Sequence, residues 1–260
     1  MKPRSPWEIQ KTVVLALILR ELKTRFGVHR MGAAWLFLEP MVHVAIMMAI
    51  FGFARSDAMP GIDFSVFLLV GVVPFLLFKS IALRIMEGVE GNKGLFTYRH
   101  IKPMDVFLSR AVLETALYSI VLAVMLLGLM WLGFDIAVAS PLEFLLLGIV
   151  IVVGGFGFGL VLSVIAEFMP EAKPIIRMLF MPLYLLSGVI FPVAALPRQY
   201  REWLLWNPVL HAIELARDAF LAGYRAVPEA SLRFVLGATL AFTFVGLALY
   251  RERRLAMVAQ

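Results

Sequence analysis

The sequence predicts an all-α integral membrane protein: six transmembrane helices, an N-terminal amphipathic interface helix, and short re-entrant helices on the periplasmic side between spans five and six. Three observations predict it. Apolar residues make up 62% and charged residues 16% of the 260, with a mean hydropathy of +0.90, against about 45–50% and about 25% in a soluble globule. Six apolar stretches approach the roughly twenty residues that cross a bilayer core. Of the 24 Lys and Arg residues, 17 fall in 1–32, 83–110, 166–177 and 251–260, on one side of those stretches. Such a bias marks the cytoplasmic side and places both termini there. The composition argues against a water-soluble enzyme and rules out intrinsic disorder. Cysteine is absent, so there is no disulfide framework, thiolate nucleophile or Cys-ligated metal. The net charge of +6 reads as an orientation signal and needs no nucleic acid partner.

The chain reads as one domain, 1–260, with parts 1–32, 33–191, 192–231, 232–250 and 251–260. The apolar run at 13–19 is only seven residues long and meets Arg20, Glu21, Lys23 and Arg25. That is too short for a cleaved signal and suits a helix lying on the bilayer. Ser5-Pro6-Trp7-Glu8 marks its start as a capping box with Pro at the first helical position. Leu15, Leu19, Leu22 and Phe26 form its apolar stripe. Spans follow at 33–53, 64–82, 107–132, 142–165, 174–191 and 232–250. Ser140-Pro141-Leu142-Glu143 repeats the capping signature at the fourth, whose Gly155 and Gly159 admit a close neighbour. Between 192 and 231 the chain is too apolar for a plain loop and too broken for a span. Asn207-Pro208 starts a new helix there, giving two short helices at 198–206 and 208–221. On the second, His211, Glu214 and Asp218 share a face. They either line a water- or polymer-filled passage or simply face the periplasm.

Missing motifs bound the chemistry. No G-x-x-x-x-G-K-[ST] loop exists, and the stretch 88–94 (GVEGNKG) has the wrong spacing; H-E-x-x-H is also absent. Glu39 and His43 lie four apart around Pro40 with no third ligand nearby, which favours a structural hydrogen bond over a metal site. No catalytic or metal-binding residues are expected. A membrane-embedded transferase would need Glu39, His43, Glu114 or Glu214, which sit at different inferred depths. A proton-coupled carrier is weakened by the few mid-membrane ionisable groups, and no inverted repeat is evident. If the chain moves something against a gradient, another chain should supply the energy. The polar segment 84–102 suits such a partner: Glu87, Glu90, Asn92 and Lys93 form a short charged helix that Gly91 and Gly94 keep weak. Beyond it, Arg99, His100 and Lys102 either form a solvated loop or face an anionic substrate or lipid headgroups.

The order of motifs along the chain carries a resemblance. Arg20-Glu21-Leu22-Lys23-Thr24-Arg25-Phe26 precedes Gly32-x-x-Trp35-x-x-x-Glu39-Pro40; Gly94-Leu95-Phe96, Lys102-Pro103, Pro170-Glu171 and Phe191-Pro192 follow. Leu205-Trp206-Asn207-Pro208, Glu214-Leu215-x-Arg217 and a terminal Gly246-Leu247-Ala248-Leu249-Tyr250-Arg251 complete the set. No single motif is specific, but together they resemble the permease subunits of ABC-type polysaccharide exporters, most closely the KpsM type of Gram-negative capsule export. The wider family often has Arg-Asp after the fourth span, where Pro170-Glu171 stands here.

The resemblance implies a homodimer in the inner membrane, bound to two cytoplasmic ATPase subunits that hold ATP and magnesium; no cofactor is expected in this chain. It implies a lipid-linked capsular polysaccharide as cargo, a periplasmic co-polymerase-type partner and an outer-membrane exporter. O-antigen or teichoic-acid export is the alternative within the same architecture. The resemblance further makes the N-terminal helix a gate and 85–95 a coupling helix, with Arg20, Glu21, Glu87, Glu90, Asn92 and Lys93 as the ATPase-coupling set. An acidic polymer crossing roughly 30 Å of hydrocarbon needs repeated weak contacts from aromatic faces and cations. That expectation places Tyr98, Arg99, His100 and Lys102 at the entrance and Tyr200, Trp203 and Trp206 at the exit. Interface anchoring is the competing role for the exit aromatics.

Overall fold

A computed structural model describes residues 6–26, 32–55, 62–98 and 101–259. Ser5, Arg99 and His100, and the side chains of Arg25, Phe26, Trp35 and Glu39, lie outside the described residues. The described chain is helical throughout: α1 (Pro6–Phe26), α2 (Gly32–Arg55), α3 (Phe64–Met86), α4 (Pro103–Trp131), α5 (Pro141–Phe168), α6 (Ala172–Leu186), α7 (Arg198–Leu204), α8 (Pro208–Phe220) and α9 (Leu232–Ala259).

A helix that is apolar all round belongs at the centre of a bundle, and α3 is that helix. Every residue from Val66 to Phe75 is buried, and α2, α4, α5 and α8 all pack on it. Next to it lies α5, whose glycines serve two neighbours. A methyl group at Gly155 would stand 3.1 Å from the Phe78 carbonyl oxygen, and one at Gly159 2.9 Å from Ile85, so this face meets α3. A methyl at Gly157 would come within 2.5 Å of Thr243 Oγ1, so the other face meets α9. The glycines therefore allow close packing on both sides of α5, as small residues do between membrane helices.

Four of the described helices are long and apolar enough to cross a membrane: Phe64–Met86, Pro103–Trp131, Pro141–Phe168 and Leu232–Met257. In α2 the apolar stretch found among described residues is Pro40–Ile50. The expected fifth span is shorter than 174–191. Its helix ends at Leu186, and Gly188 turns the chain with φ of 65°, a conformation open to glycine. At 15 residues, α6 is about 22 Å long, short of the hydrocarbon layer of roughly 30 Å. The sixth helix does not stop at 250 but continues to Ala259, so the expected tail is a helical extension with Arg251, Arg253 and Arg254 exposed. No helix-breaking residue interrupts 251–259.

The elements gather at two ends. At one, Leu17 of α1, Ile85 and Val89 at the end of α3, Phe107 of α4, and Tyr250 and Met257 of α9 share a core, and the Met104 N–H donates to Tyr250 Oη at 3.3 Å. Both terminal helices thus meet at this end. At the other, the Ala139 and Ser140 N–H groups donate to Phe220 and Ala219 carbonyls at 3.1 and 2.7 Å, fastening the start of α5 to the end of α8.

Candidate functional site

At the end shared by both terminal helices, the chain leaving α3 turns through 87–89 into a short 3-10 helix, Glu90–Leu95. The expected charged helix over 85–95 is confined to these residues, because α3 runs on to Met86 and Gly91 and Gly94 weaken the helix beyond it. All six residues of the expected coupling set lie at this end. Their partners form two groups of contacts.

The first group joins α1 to the 87–95 segment and α4. Arg20 Nη1 donates to Asn92 Oδ1 at 2.6 Å, and the buried Asn92 donates through Nδ2 to the Gly88 carbonyl at 2.9 Å. Glu21 pairs with Arg110 of α4 at 3.5 Å, while Arg110 Nη1 donates to the Arg84 carbonyl at 2.6 Å. Gln10 donates to the buried Asp105, whose other oxygen accepts from the Lys102 N–H at 2.9 Å and so caps α4. The α1 face that packs is therefore Gln10, Val13, Leu17 and Glu21, one helical stripe. The expected apolar stripe points elsewhere: Leu15 and Leu19 are exposed, and Leu22 is half-buried.

The second group crosses to the end of α5 and the first turns of α6, where all but the buried Glu167 are at least partly open to solvent. Lys173 Nζ meets Glu90 Oε2 at 2.5 Å, Arg177 Nη2 meets Glu87 Oε1 at 2.7 Å, and Lys93 Nζ meets Glu167 Oε1 at 3.2 Å. The hydrogen bond from Lys173, and then its charge, hold the Glu90 carboxyl below the usual carboxylate range; Lys93 and Arg177 add to this. In sequence, Lys173 and Arg177 are visible only as inner-side basic residues. Their match to Glu90 and Glu87 depends on a contact more than eighty residues apart.

Of the expected entrance residues, Tyr98 and Lys102 are exposed on either side of residues 99–100. At the opposite end Tyr200 and Trp203 on α7, and Trp206 just before α8, are exposed. The helix boundaries there match the expected pair closely, and Asn207 Oδ1 accepts from the Val209 N–H at 3.0 Å as an N-cap.

The face of α8 expected either to line a passage or to face the periplasm is instead largely a buried polar knot. His211 is buried, its Nε2 donating to the Leu205 carbonyl at 2.8 Å and its Nδ1 accepting from the Ser231 N–H at 3.0 Å. Glu214 and Arg217 are both fully buried and pair at 3.4 Å. Arg217 donates to the Phe67, Gly188 and Val189 carbonyls at 3.3, 2.8 and 2.6 Å, and its guanidinium stacks 3.6 Å from the Phe67 ring centre. Tyr224 Oη donates to Glu214 at 2.9 Å. Only Asp218 of the expected trio is exposed. By sequence position Arg217 is an outer-loop cation. The signal for its burial is its place in the apolar stripe of Leu210, Ile213 and Phe220.

Among the described residues no group of three or more His, Asp or Glu could hold a metal ion. His43 instead lies 3.4 Å from Tyr184 Oη, ring edge to face.

Comparison with known proteins decides the family. The ABC-2 type transporter membrane model matches residues 12–221, most of the chain. The chain belongs to the ABC-2 type transporter family. It is similar to the polysialic acid transport protein KpsM of Escherichia coli, with 41% identity over 255 residues that cover 98% of each chain. It is similar also to the capsule polysaccharide export inner-membrane protein CtrC of Neisseria meningitidis, with 29% identity over 92% of this chain and 90% of that one. The O-antigen export system permease RfbA of Klebsiella pneumoniae is more distant, at 21% identity over 92% of this chain and 91% of its own. The apolar helices and this kinship make the chain a multi-pass inner-membrane protein and a transporter subunit rather than an enzyme.

Proposed function

We propose that this chain is the permease subunit of an ATP-driven exporter that carries a lipid-linked capsular polysaccharide out of the cytoplasm across the inner membrane. The observation that carries the reading is 41% identity to a polysialic acid transport protein along nearly the whole of both chains. A chain without a phosphate-gripping loop needs a separate ATPase to bind ATP and magnesium. Two copies of the permease with two such subunits form the working unit, linked onward to a periplasmic co-polymerase-type protein and an outer-membrane exporter.

In this reading α2, α3, α4, α5, α6 and α9 are the six spans, and the end that joins α1, α9 and the 87–95 segment is cytoplasmic, because the basic residues concentrate there. Residues beyond Leu186 complete the short α6 span, while α7 and α8 dip into the outer leaflet, with α8 held by the Arg217 knot. The ATPase grips the 87–95 segment. Its stroke tilts α1, α3 and α4 as one body against the end of α5 and the start of α6, pivoting where Gly155 and Gly159 meet α3 and parting the ion pairs that Glu87, Glu90 and Lys93 make there. Tyr98, Arg99, His100 and Lys102 receive the acidic polymer, and Tyr200, Trp203 and Trp206 offer aromatic faces at the exit.

Charge reversal at Glu87 or Glu90 tests the coupling. The expected result is ATP hydrolysis without export by a folded permease; preserved partner binding and coupled export in both variants would reject it. The O-antigen reading is kept in view by the relative at 21% identity. Deleting the chain separates the two: accumulation of lipid-linked capsular polymer inside the cell supports the proposal, and accumulation of O-antigen polymer overturns it.

A further inference from the structure

The terminal motif Gly246-Leu247-Ala248-Leu249-Tyr250-Arg251 takes no part in the ion pairs or in the proposed path, yet two of its residues join α9 to its neighbours. A methyl group at Gly246 would stand 2.7 Å from the Gly157 carbonyl oxygen and 2.7 Å from Leu160 Cβ, so α9 and α5 meet there backbone to backbone. Four residues on and on the same helical face, Tyr250 is buried. Its hydroxyl oxygen accepts from the Met104 N–H at 3.3 Å, in the first turn of α4, where backbone N–H groups have no partner within the helix. Its ring stands edge to face with the fully buried Phe107, the ring centres 6.0 Å apart. Phe107 in turn lies so close to Gly88 that a methyl group there would stand 2.7 Å from its Cε1. A run of contacts thus leads from the 87–95 segment through Phe107 and Tyr250 to Gly246 and α5. Gly88 follows Ile85 by three residues, and Ile85 is where Gly159 meets α3. Tyr250 therefore bears on the tilting body beside its proposed pivot, where a rotation displaces atoms least and a contact can persist through the stroke.

We propose that Tyr250 is a positioning residue for energy coupling. It registers the first turn of α4 and the 87–95 segment against the α5–α9 pair, so that the push of the ATPase becomes a tilt about the glycine pivot rather than a slide. The inference rests on the export reading above. A chain of contacts transmits movement only if removing one link alters the output, and the Tyr250 hydroxyl is a link that can be removed alone. Tyr250→Phe keeps the ring against Phe107 and takes away the acceptor of the Met104 N–H.

The test places the full chain with its ATPase in proteoliposomes and measures polymer exported per ATP hydrolysed. In Tyr250→Phe that ratio should fall about threefold to tenfold, the range set by one hydrogen bond, while the permease stays folded in detergent and ATP hydrolysis continues. A ratio that stays native, or export that falls only in step with the folded fraction, would overturn the role. A second readout needs no cargo: the rate at which a short bis-thiol reagent bridges Glu90→Cys to Lys173→Cys. ATP turnover should slow this bridging when Tyr250 is present, because the pair parts in the stroke, and the slowing should shrink when Tyr250→Phe is added. Equal slowing in both backgrounds would overturn this inference and leave the export reading standing. No slowing in either background would overturn both.

Discussion

Arg217 and Lys173 are both cations that tie separated parts of the chain together, at opposite ends of the bundle. Arg217 is fully buried, donates to three carbonyls from α3 and the turn after α6, and stacks on Phe67. Lys173, its side chain 14% exposed, holds Glu90, whose side chain is 65% exposed and keeps the pair open to solvent. The contrast is energetic. A buried, fully bonded ion pair is costly to break, by about 3–5 kcal/mol when one partner is removed, whereas an exposed pair contributes about 0–1 kcal/mol. One end is therefore held in a single arrangement and the other can rearrange cheaply. Movement in this permease should enter where the ties are weak.

The largest expected effect breaks the strong end. Arg217→Met should destabilise the protein by about 3–5 kcal/mol, because Glu214 is left buried without its cation, measured by unfolding in detergent. A loss below about 1 kcal/mol would erase the contrast with a surface pair. Gly71→Ala approaches the same knot from the other side: its methyl would stand 2.2 Å from Arg217 Nη2, so the guanidinium must move and a comparable loss is expected. Next comes Gly157→Ala, whose methyl would meet the Thr243 backbone nitrogen at 2.6 Å and part α5 from α9, costing about 1–3 kcal/mol.

At the weak end, Lys173→Gln should cost less than about 1 kcal/mol, with the difference from the native chain shrinking as salt rises. The Glu90→Lys, Lys173→Glu double swap should recover it. The pH dependence has a definite sign. Glu90 has its folded pKa depressed, chiefly by Lys173, so its contribution is complete above the ordinary carboxylate pKa and is lost as pH falls through the depressed value. Unfolding curves from neutral to acid pH should lose a salt-sensitive increment in the native chain that is absent from Glu90→Gln. Smallest in stability is Trp203→Ala, expected within about 0.5 kcal/mol for an exposed side chain. Its export rate is the informative readout: lost export with normal insertion supports the exit path, and unchanged export leaves Trp203 as an interface anchor.

Local signals were the legible ones. Pro6, Pro141 and Pro208 each open a helix, because a first-turn proline is a local signal; the Asn207 cap forms, whereas Ser140 makes no side-chain cap hydrogen bond. The break before α8 was readable for the same reason, and the all-helical class followed from composition. The end of α6 was missed because apolar residues resume at once after Ser187-Gly188; that pair is a turn signal, and the left-handed backbone of Gly188 carries the turn. The face of α1 that packs is not legible in its apolar pattern: apolar residues surround the helix, and polar contacts with Asp105 and Arg110 chose the face. The Arg217 knot needed carbonyls 28 and 150 positions away, beyond any local pattern. The six residues expected to couple to an ATPase do gather at one end, but their partners Lys173, Arg177 and Glu167 lie across the fold.

In the proposed cycle the first turns of α6 part from the 87–95 segment while the opposite end stays closed. The chain has no native cysteine, so paired cysteines can be bridged cleanly with a short, reducible bis-thiol reagent. Export by the complex with its ATPase should stop when Glu90→Cys is bridged to Lys173→Cys and resume on reduction. It should continue when Ser140→Cys is bridged to Ala219→Cys at the other end. Undiminished export with the first bridge in place would contradict the account.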